Sequence, residues 1–575
     1  MPDRLNDDQF IQRRMLLAAV LSAVVMGAYM FLVPRPEAPP VPDTAPAPAA
    51  PAAGAESERA DAPPTPAPSI APPPEGEAIE AGSERTVTVE TETFSVEFTN
   101  RGAAVRSWKL KEYKDARGEP LDLVHRQGAA RHGNPFRLVL PGGDSILGAD
   151  EALFSVNSGP PVRRAPETVV FEFAKDGLLI RKSFEFEAEG YLVRVETEVA
   201  EGGRPQRHLI AWGGGFGDTA QAGNSAFSQV FYHDAGEIER VAASDAEDEK
   251  VARSGYYLFA GLEDLFFAAA AIPEAGADLS IEAGAVEIEP ANGEAGDLQT
   301  YAAAAFGGAP SNRLRFYVGP KSRDALSSVD GLGRALPRIV DFGFFAFIAE
   351  PLFLMLRWVY GSVVANWGWS IVVVTIVINT VLFPLKYKST KSMRKMQQLQ
   401  PLVKQINNRY KGVSMRDPRK SKQNEELQAL YKKYKVNPMG GCLPILLQMP
   451  FFFAFYKLLT VAIEMRQAEW LWVSDLSNPE TLAIRVLPLA MVATQFWSQA
   501  LTPTPTADAM QARMMKFMPL LFGFIFYQFQ AGLVLYWLTS NCVGIGQQLL
   551  LNRLPQEKLQ LDTGRPRGKR RKRRR

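Results

Sequence analysis

Apolar and polar residues alternate with a period of two along much of the first half of the chain. Val87 and Val89 alternate with threonine and glutamate, and the pattern returns in the stretches 94–98, 169–173, 184–186 and 191–199. This period is typical of antiparallel strands with one buried face. It predicts a large antiparallel β-sandwich over residues 83–324.

A long uncharged run near the N-terminus follows a different pattern. Residues 15–33 are 19 uncharged residues directly after Arg13 and Arg14, which is long enough for a transmembrane anchor. The two arginines predict a cytoplasmic N-tail over residues 1–14. A cleaved signal peptide is the alternative, although the run exceeds the usual apolar length of such peptides. The segment 34–82 is rich in Pro and Ala, cannot supply a core and predicts an extended linker.

Apolar runs of helical length dominate the second half. Residues 350–366 carry apolar side chains at helical spacing and predict an amphipathic helix that lies in the membrane interface. Five further runs predict a core of five helices within residues 367–552, at 367–385, 442–463, 486–501, 514–529 and 532–551. With the N-terminal anchor, the pattern predicts a multidomain membrane protein with six transmembrane α-helices.

The charge is distributed unevenly, although the formal net charge is only +2. Residues 386–441 hold 15 Lys and Arg against three acidic residues and predict a cytoplasmic helical hairpin, and the basic tail 553–575 predicts a cytoplasmic C-terminus. The acidic loop 464–484 is expected on the other side, with the sandwich. The basic segments suit either ribosomal RNA or anionic lipid, because both present phosphate.

The residues that could perform covalent chemistry are too scattered to form a catalytic site. No nucleophile, base and orienting acid converge in the sequence, and no carboxylate pair lies in a predicted span, so we expect a protein that is not an enzyme. The two cysteines, Cys442 and Cys542, lie in apolar runs, and the four histidines lack metal-ligand spacing. No cofactor or metal is expected.

The predicted spans contain uncharged polar side chains, which are costly in hydrocarbon unless they are paired or hydrated. The candidate groove residues are Thr375, Asn379, Thr380, Gln448, Gln495 and Gln499. Interhelical hydrogen bonding, at about 0.6 kcal/mol per contact, explains any one of them equally well. The set as a whole favours a hydrated groove.

Four separated motifs resemble those of the YidC/Oxa-type membrane protein insertases. They are the run 437–456 with three prolines, Asn366-Trp367-Gly368, the run 532–537, and Ser540-Asn541. The anchor and the large sandwich resemble the Gram-negative bacterial branch of that family. The resemblance implies an inner-membrane insertase and chaperone that acts alone or with the Sec translocon on nascent membrane proteins. It also implies a sandwich with a fold like that of sugar-binding domains.

The same resemblance implies roles for individual residues. Substrate segments are expected to slide along a set of largely apolar side chains, namely Pro444, Met449, Pro450, Phe452, Tyr536 and Trp537, beside a hydrophilic groove that contains Thr375 and Gln448. Bacterial members usually place an arginine or lysine in the groove, and the aligned residue here is Asn379. Lys386 lies seven residues later, on about the same helix face, and is expected at the groove mouth.

Two other classes of function compete with this interpretation. A solute transporter or channel would show internal repeats and a coupling site in mid-membrane, and the sequence has neither. An envelope binding module on a membrane anchor would place the function in the sandwich. Deletion of the sandwich separates that class from an insertase.

Overall fold

The computed structural model describes residues 78–146, 148–219, 224–248, 251–274, 277–289, 298–413, 417–436, 443–502 and 509–555. The chain divides into the units Met1–Ala71 and Pro72–Arg575, and the described residues all belong to the second. The predicted N-tail and anchor, and nearly all of the linker, lie outside the described residues. So does the tail after Pro555.

Twenty strands lie in the described part of residues 86–320, which we call the β domain. Their bounds are β1 Thr86–Glu90, β2 Phe94–Thr99, β3 Ala104–Lys114, β4 Pro120–Asp122, β5 Arg137–Val139, β6 Ser155–Val156, β7 Val162–Arg164, β8 Glu167–Lys175, β9 Leu178–Phe186, β10 Leu192–Glu201, β11 Arg204–Pro205, β12 Leu209–Trp212, β13 Gln229–Asp234, β14 Glu237–Ala242, β15 Val251–Gly255, β16 Ala260–Glu263, β17 Phe267–Pro273, β18 Leu279–Ile288, β19 Gln299–Gly307 and β20 Ser311–Pro320.

The strands form three sheets. Their orders are β4-β3-β2-β1-β7, β14-β13-β16-β17-β20-β10-β9-β8-β6 with β11 beside β10, and β15-β18-β19-β12-β5. The pair β1 and β7 is parallel, and the other strand pairs that the structure describes are antiparallel. The predicted antiparallel, β-rich domain is therefore confirmed.

Alternate residues of these strands build an aromatic core. On β9, Phe184 and Phe186 are buried and pair with Val195 and Val193 of β10. The ring of Phe98 lies 4.8 Å from that of Phe184, measured between centroids. Burying one such side chain contributes about 1.5–3 kcal/mol. Because alternate residues of a strand face the core, this gain accounts for the period of two in the sequence.

Eleven α-helices lie in the described part of the chain. They are α1 Arg126–His132, α2 Ala243–Asp248, α3 Arg323–Ser327, α4 Ala346–Ser362, α5 Trp367–Val381, α6 Phe383–Arg409, α7 Pro418–Lys433, α8 Leu443–Val461, α9 Val486–Leu501, α10 Ala509–Phe526 and α11 Ala531–Arg553. Helix α4 begins four residues before the predicted interfacial helix and ends four residues before its predicted end. Helices α6 and α7 occupy the predicted hairpin.

The first predicted span of the helical core differs from the structure. It was expected to run unbroken over residues 367–385, but α5 ends at Val381 and α6 begins at Phe383 with Pro384 in its first turn. Proline cannot donate a backbone hydrogen bond and clashes with the preceding turn, which accounts for the break. None of the described helices alone meets the length and hydropathy expected of a membrane span; α5 and α6 meet them together, with a 56° bend between them.

Lys182 is a buried lysine in the β domain, and its burial lowers the pKa of its side chain to about 7. It lies on β9, is 2% exposed, and its Nζ donates to the carbonyl oxygens of Gly102 at 2.7 Å, Ala103 at 3.0 Å and Phe136 at 3.0 Å. The three N–H groups of an ammonium match these three acceptors. Lys182 thus joins β9 to the turn before β3 and to the segment before β5.

We predict that Lys182→Met lowers the free energy of unfolding by about 3 kcal/mol, because three buried carbonyl groups lose their donor. Denaturant titration of the purified protein measures the change. Lys175→Met is the matched control, since Lys175 pairs with Glu80 at a half-exposed position and should shift stability by less than about 0.5 kcal/mol. Equal effects of the two substitutions would contradict the assignment.

Candidate functional site in the helical core

One face of α5 carries buried polar side chains. Asn366 caps the helix, and its Oδ1 accepts a hydrogen bond from the Trp369 amide at 3.0 Å. Thr375 and Asn379, one turn apart, are 0% and 1% exposed. The Thr375 hydroxyl donates to its own helix, at the Ile371 carbonyl. Thr380, predicted for the same groove, lies on the exposed face and donates to the Ile376 carbonyl.

Lys386 extends back from α6 to this face. Its Nζ donates to Asn379 Oδ1 at 2.6 Å. Seven residues of straight helix would separate the two Cα atoms by about 10 Å, so the bend between α5 and α6 and the long lysine side chain together close the gap. Within the described residues, Lys386 has no carboxylate partner.

Helices α8 and α11 extend the group. Gln448 Nε2 on α8 donates to Tyr536 Oη at 2.9 Å and lies 3.5 Å from Ser540 Oγ. Ser540 in turn lies 3.4 Å from Asn379 Oδ1, and Gln547 Nε2 donates to the Asn379 carbonyl at 2.9 Å. We call this set the polar cluster: Thr375, Asn379, Lys386, Gln448, Tyr536, Ser540 and Gln547. It connects four helices.

A smaller polar contact joins α9 to α11. Trp537 Nε1 donates to Gln495 Oε1 at 3.4 Å, and Asn541 Nδ2 lies 3.3 Å from Thr494 Oγ1. Gln499 follows Gln495 by one turn and is half-buried. Gln495 and Gln499, both predicted for the groove, thus lie on α9, and Gln495 contacts α11.

An aromatic cluster lies beside the polar one, composed of Phe452, Phe522, Phe526 and Trp537. The ring of Phe452 meets that of Trp537 edge-on at 5.0 Å, and Phe526 lies 5.1 Å from Trp537. Tyr536 instead stacks on Phe455 at 4.3 Å and belongs to the polar cluster. The adjacent residues Tyr536 and Trp537 therefore contact different clusters.

The remaining predicted slide residues lie on α8. Met449 is 39% exposed and Pro450 is half-buried. Pro444 occupies the second position of the helix, and its side chain lies outside the described part of the structure. Large apolar side chains are also exposed on α10, including Phe517 at 67% and Phe524 at 82%, as expected of a surface in contact with lipid.

Ser540, Gln547 and Phe526 were not predicted as site residues. Tyr536, Ser540 and Gln547 are spaced by four and seven residues, which places them on one face of a helix. That spacing could have identified Ser540 and Gln547 from the sequence. No comparable pattern singles out Phe526, which reaches Trp537 from another helix.

Comparison with known proteins assigns the family. Residues 86–355 match the family described as the YidC periplasmic domain, and residues 358–558 match the 60Kd inner membrane protein family. The membrane protein insertase YidC of Burkholderia ambifaria is 33% identical over 488 residues, which cover 82% of this chain and 85% of the relative. The chain belongs to the YidC family of membrane protein insertases.

The chain is also similar to other YidC proteins. The insertase of Cupriavidus taiwanensis is 34% identical over 481 residues, 81% of this chain and 82% of the relative. That of Wolinella succinogenes is 45% identical over 257 residues, 44% of this chain and 46% of the relative. A crystal structure of an active YidC insertase with its first transmembrane domain resolved covers 82% of this chain and 93% of that chain, at 18% identity and a TM-score of 0.36.

The two family matches divide the chain by compartment. The β domain lies within the match to the YidC periplasmic domain, and the polar and aromatic clusters lie within the match to the inner-membrane family. The protein is therefore a YidC-type inner-membrane protein with a periplasmic β domain. Its relatives are named as insertases, which are not enzymes.

We predict that Tyr536→Phe lowers the free energy of unfolding by about 1 kcal/mol, because Gln448 loses its nearest acceptor. Tyr360→Phe is the control, since the Tyr360 ring stacks on Trp367 at 4.3 Å and that contact survives the loss of the hydroxyl. Denaturant titration in detergent micelles compares the two. No difference between them would show that the Gln448 contact contributes nothing.

Proposed function

We propose that the polar cluster lines a hydrophilic groove through which this protein inserts other membrane proteins, and that Lys386 supplies the positive charge of that groove. The observation that carries the proposal is the contact between Lys386 Nζ and Asn379 Oδ1. It brings a basic side chain to Asn379, the residue to which the family resemblance assigns the basic groove position. Lys386 therefore acts inside the groove rather than only at its mouth.

The number of acceptors around Lys386 supports this role. An ammonium has three N–H donors, and Asn379 Oδ1 is the one side-chain acceptor that the described residues offer it. Two donors are then left for a substrate carboxylate or for water. A charged residue at the centre of a bilayer costs about 2.5–3.5 kcal/mol, and a groove of amides, hydroxyls and water reduces that cost for a translocated tail.

The aromatic cluster is suited to the apolar part of the same substrate. The rings of Phe452 and Trp537 meet edge-on, and the exposed Met449 precedes Phe452 on α8. Tyr536 and Trp537 are consecutive, so a substrate segment can place its polar end against the polar cluster and its apolar end against the aromatic cluster. We propose that Met449, Pro450, Phe452 and Trp537, with Pro444 on the same helix, form this slide.

The topology we propose has six spans, with both termini in the cytoplasm. The charge of the hairpin between α5 and α8 supports it. A second support is the contact of Arg466, which follows α8, with Asp218 of the periplasmic β domain. That contact supports a topology in which α8 begins on the cytoplasmic side and ends on the periplasmic side.

We propose nascent membrane proteins as substrates, with the protein acting also as a chaperone for their folding, either alone or with the Sec translocon. The family resemblance supports these partners. The hairpin, with 15 basic against three acidic residues, supports an additional contact with the ribosome or with anionic lipid.

Moving the cation tests the role of Lys386. Lys386→Gln should slow insertion of substrates with acidic translocated tails more than that of matched neutral tails, because the groove loses its charge. Asn379→Arg combined with Lys386→Gln should restore the preference, since it returns one cation to the same place. Asn379→Arg alone should impair insertion of both tails, because two cations would then lie in contact.

Insertion into liposomes of paired single-span substrates that differ only in tail charge measures these effects. Lys391→Gln, farther along α6, serves as a control for general loss of charge. Equal slowing of acidic and neutral tails in Lys386→Gln would remove electrostatic attraction from the mechanism. If the double variant does not restore the preference for acidic tails, a cation at position 379 does not replace the one at Lys386.

Deletion of residues 83–324 tests the alternative that the β domain carries the function. We expect insertion of single-span substrates to remain largely intact, because the polar and aromatic clusters lie after Asn366. The measurement is the same liposome assay, normalised to the amount of protein reconstituted. Loss of insertion at normal levels of the shortened protein would favour the binding-module alternative.

A further inference from the structure

The loop Ile463–Asn478, which we call the outer loop, holds the ends of two helices of the polar cluster. The Ala531 amide donates to the Asn478 carbonyl at 2.8 Å, and the Gly532 amide donates to the Leu476 carbonyl at 2.9 Å. These bonds position the start of α11. At the start of α5, Asn366 Nδ2 donates to the Glu469 carbonyl at 2.9 Å.

Packing strengthens the contact with α5. Trp470 of the outer loop lies against Gly368, where a Cβ atom would fall 2.2 Å from the indole ring. Only glycine allows this approach. A displacement of the outer loop therefore moves the first turns of both α5 and α11.

The other side of the outer loop contacts the β domain. Gln467 Nε2 donates to the Lys114 carbonyl at 2.7 Å, and the Lys114 amide donates to Gln467 Oε1 at 3.2 Å. Arg466 Nη2 donates to the same carbonyl at 2.9 Å and lies 2.6 Å from Asp218 Oδ2. Its guanidinium also lies over the ring of Phe267, at 5.4 Å from the centroid.

Asp218 is held in place by its own neighbours. Its amide donates to Asp264 Oδ2 at 2.8 Å, while Asp264 Oδ1 accepts from the amides of Phe266 and Phe267. Gly217 has φ of +96°, and a Cβ atom there would lie 2.0 Å from Asp264 Oδ2. The backbone of Asp218 is thus held by the Asp264 carboxylate, which is itself held by two amides of the β domain.

We propose that the Arg466–Asp218 pair couples the β domain to the helical core, with Arg466 as a positioning residue that sets the outer loop and, through it, the outer ends of α5 and α11. The side chains of the pair are 4% and 6% exposed. Nε and Nη1 of Arg466 have no hydrogen-bond partner in the described residues. A buried pair whose guanidinium is only partly satisfied is a poor source of stability, and its value lies in fixing geometry.

The burial of the pair predicts that a single substitution in the β domain disturbs the helical core more than deletion of the whole β domain does. Asp218→Asn leaves a buried guanidinium without a counter-charge, which expels Arg466 and disturbs the outer loop. Deletion of the whole β domain exposes Arg466 to water, where it needs no partner. The single substitution should therefore disturb the core more than the deletion does.

Hydrogen–deuterium exchange of the purified full chain tests the coupling. In Asp218→Asn, we expect exchange at 463–478 and at the amides of Ala531 and Gly532 to become faster by about threefold or more. Glu185→Gln is the control, because Arg194–Glu185 is also an arginine–carboxylate pair, but its side chains are 55% and 50% exposed; it should change nothing. Unchanged exchange at Ala531 and Gly532 in Asp218→Asn would overturn the proposal.

A double variant distinguishes loss of the charge pair from general misfolding. Asp218→Asn combined with Arg466→Met removes both charges and keeps an unbranched side chain on Phe267, so exchange should return toward that of the parent. A double variant as disturbed as the single one would overturn the role of the charge pair.

Insertion supplies a second readout, which rests on the proposed function. Asp218→Asn should insert single-span substrates about threefold more slowly than the protein lacking residues 83–324. Insertion by Asp218→Asn at the parent's rate would overturn the coupling. If the parent itself fails to insert, the proposed function fails, and the exchange experiment still decides the coupling.

Discussion

The side chain of Asn379 is the contact on which the arrangement of the helical core depends. Its Oδ1 accepts from Lys386 on α6 and lies near Ser540 on α11, while its Nδ2 donates to the Thr375 carbonyl at 2.9 Å. Its main-chain carbonyl accepts from Gln547. In a bilayer, polar groups must find partners within the protein or in trapped water, so one amide that serves three helices determines how closely they approach. The short side chain of asparagine also leaves room for the lysine that an arginine at the same position would repel.

Local patterns in the sequence predicted the strands and helices well, but they predicted the contacts between these elements less well. The alternation along β1, β2, β8, β9 and β10 follows from one buried face, and α9 has the bounds that its apolar run predicted. The break at Leu382 was missed, because a uniform apolar composition conceals it and Pro384 also suits the first turn of a new helix. The approach of Lys386 to Asn379 depends on that break. Spacing on a straight helix therefore predicted the shared face but placed the lysine too far away.

Contacts between distant segments carried no local signal. Gln448 and Tyr536 are separated by 88 residues, and Arg466 and Asp218 by 248. Arg466 and Asp218 are ordinary for their own segments, and the polar pattern that singled out Gln448 did not identify its partner. The site could be predicted as an inventory of polar residues, whereas its pairing required the fold. The arginine in the outer loop looked like a minor exception to an acidic segment, and in the structure it pairs with Asp218 of the β domain.

Three cations with restricted exposure illustrate how the number of acceptors indicates a role. Lys182 meets three carbonyl oxygens with its three donors, so nothing is left for a ligand and its effect is on stability. Arg466 has five N–H donors but only one carboxylate and one carbonyl as acceptors in the described residues. Its position therefore depends on the Asp218 carboxylate, and we expect the side chain to move if that charge is removed. Lys386 has a single amide oxygen and no carboxylate among the described residues, so its charge is neither neutralised nor fully bonded. A cation of this last kind is stable only where water or a substrate completes its shell, and this requirement is why we place the groove at Lys386 rather than at the better satisfied amides around it.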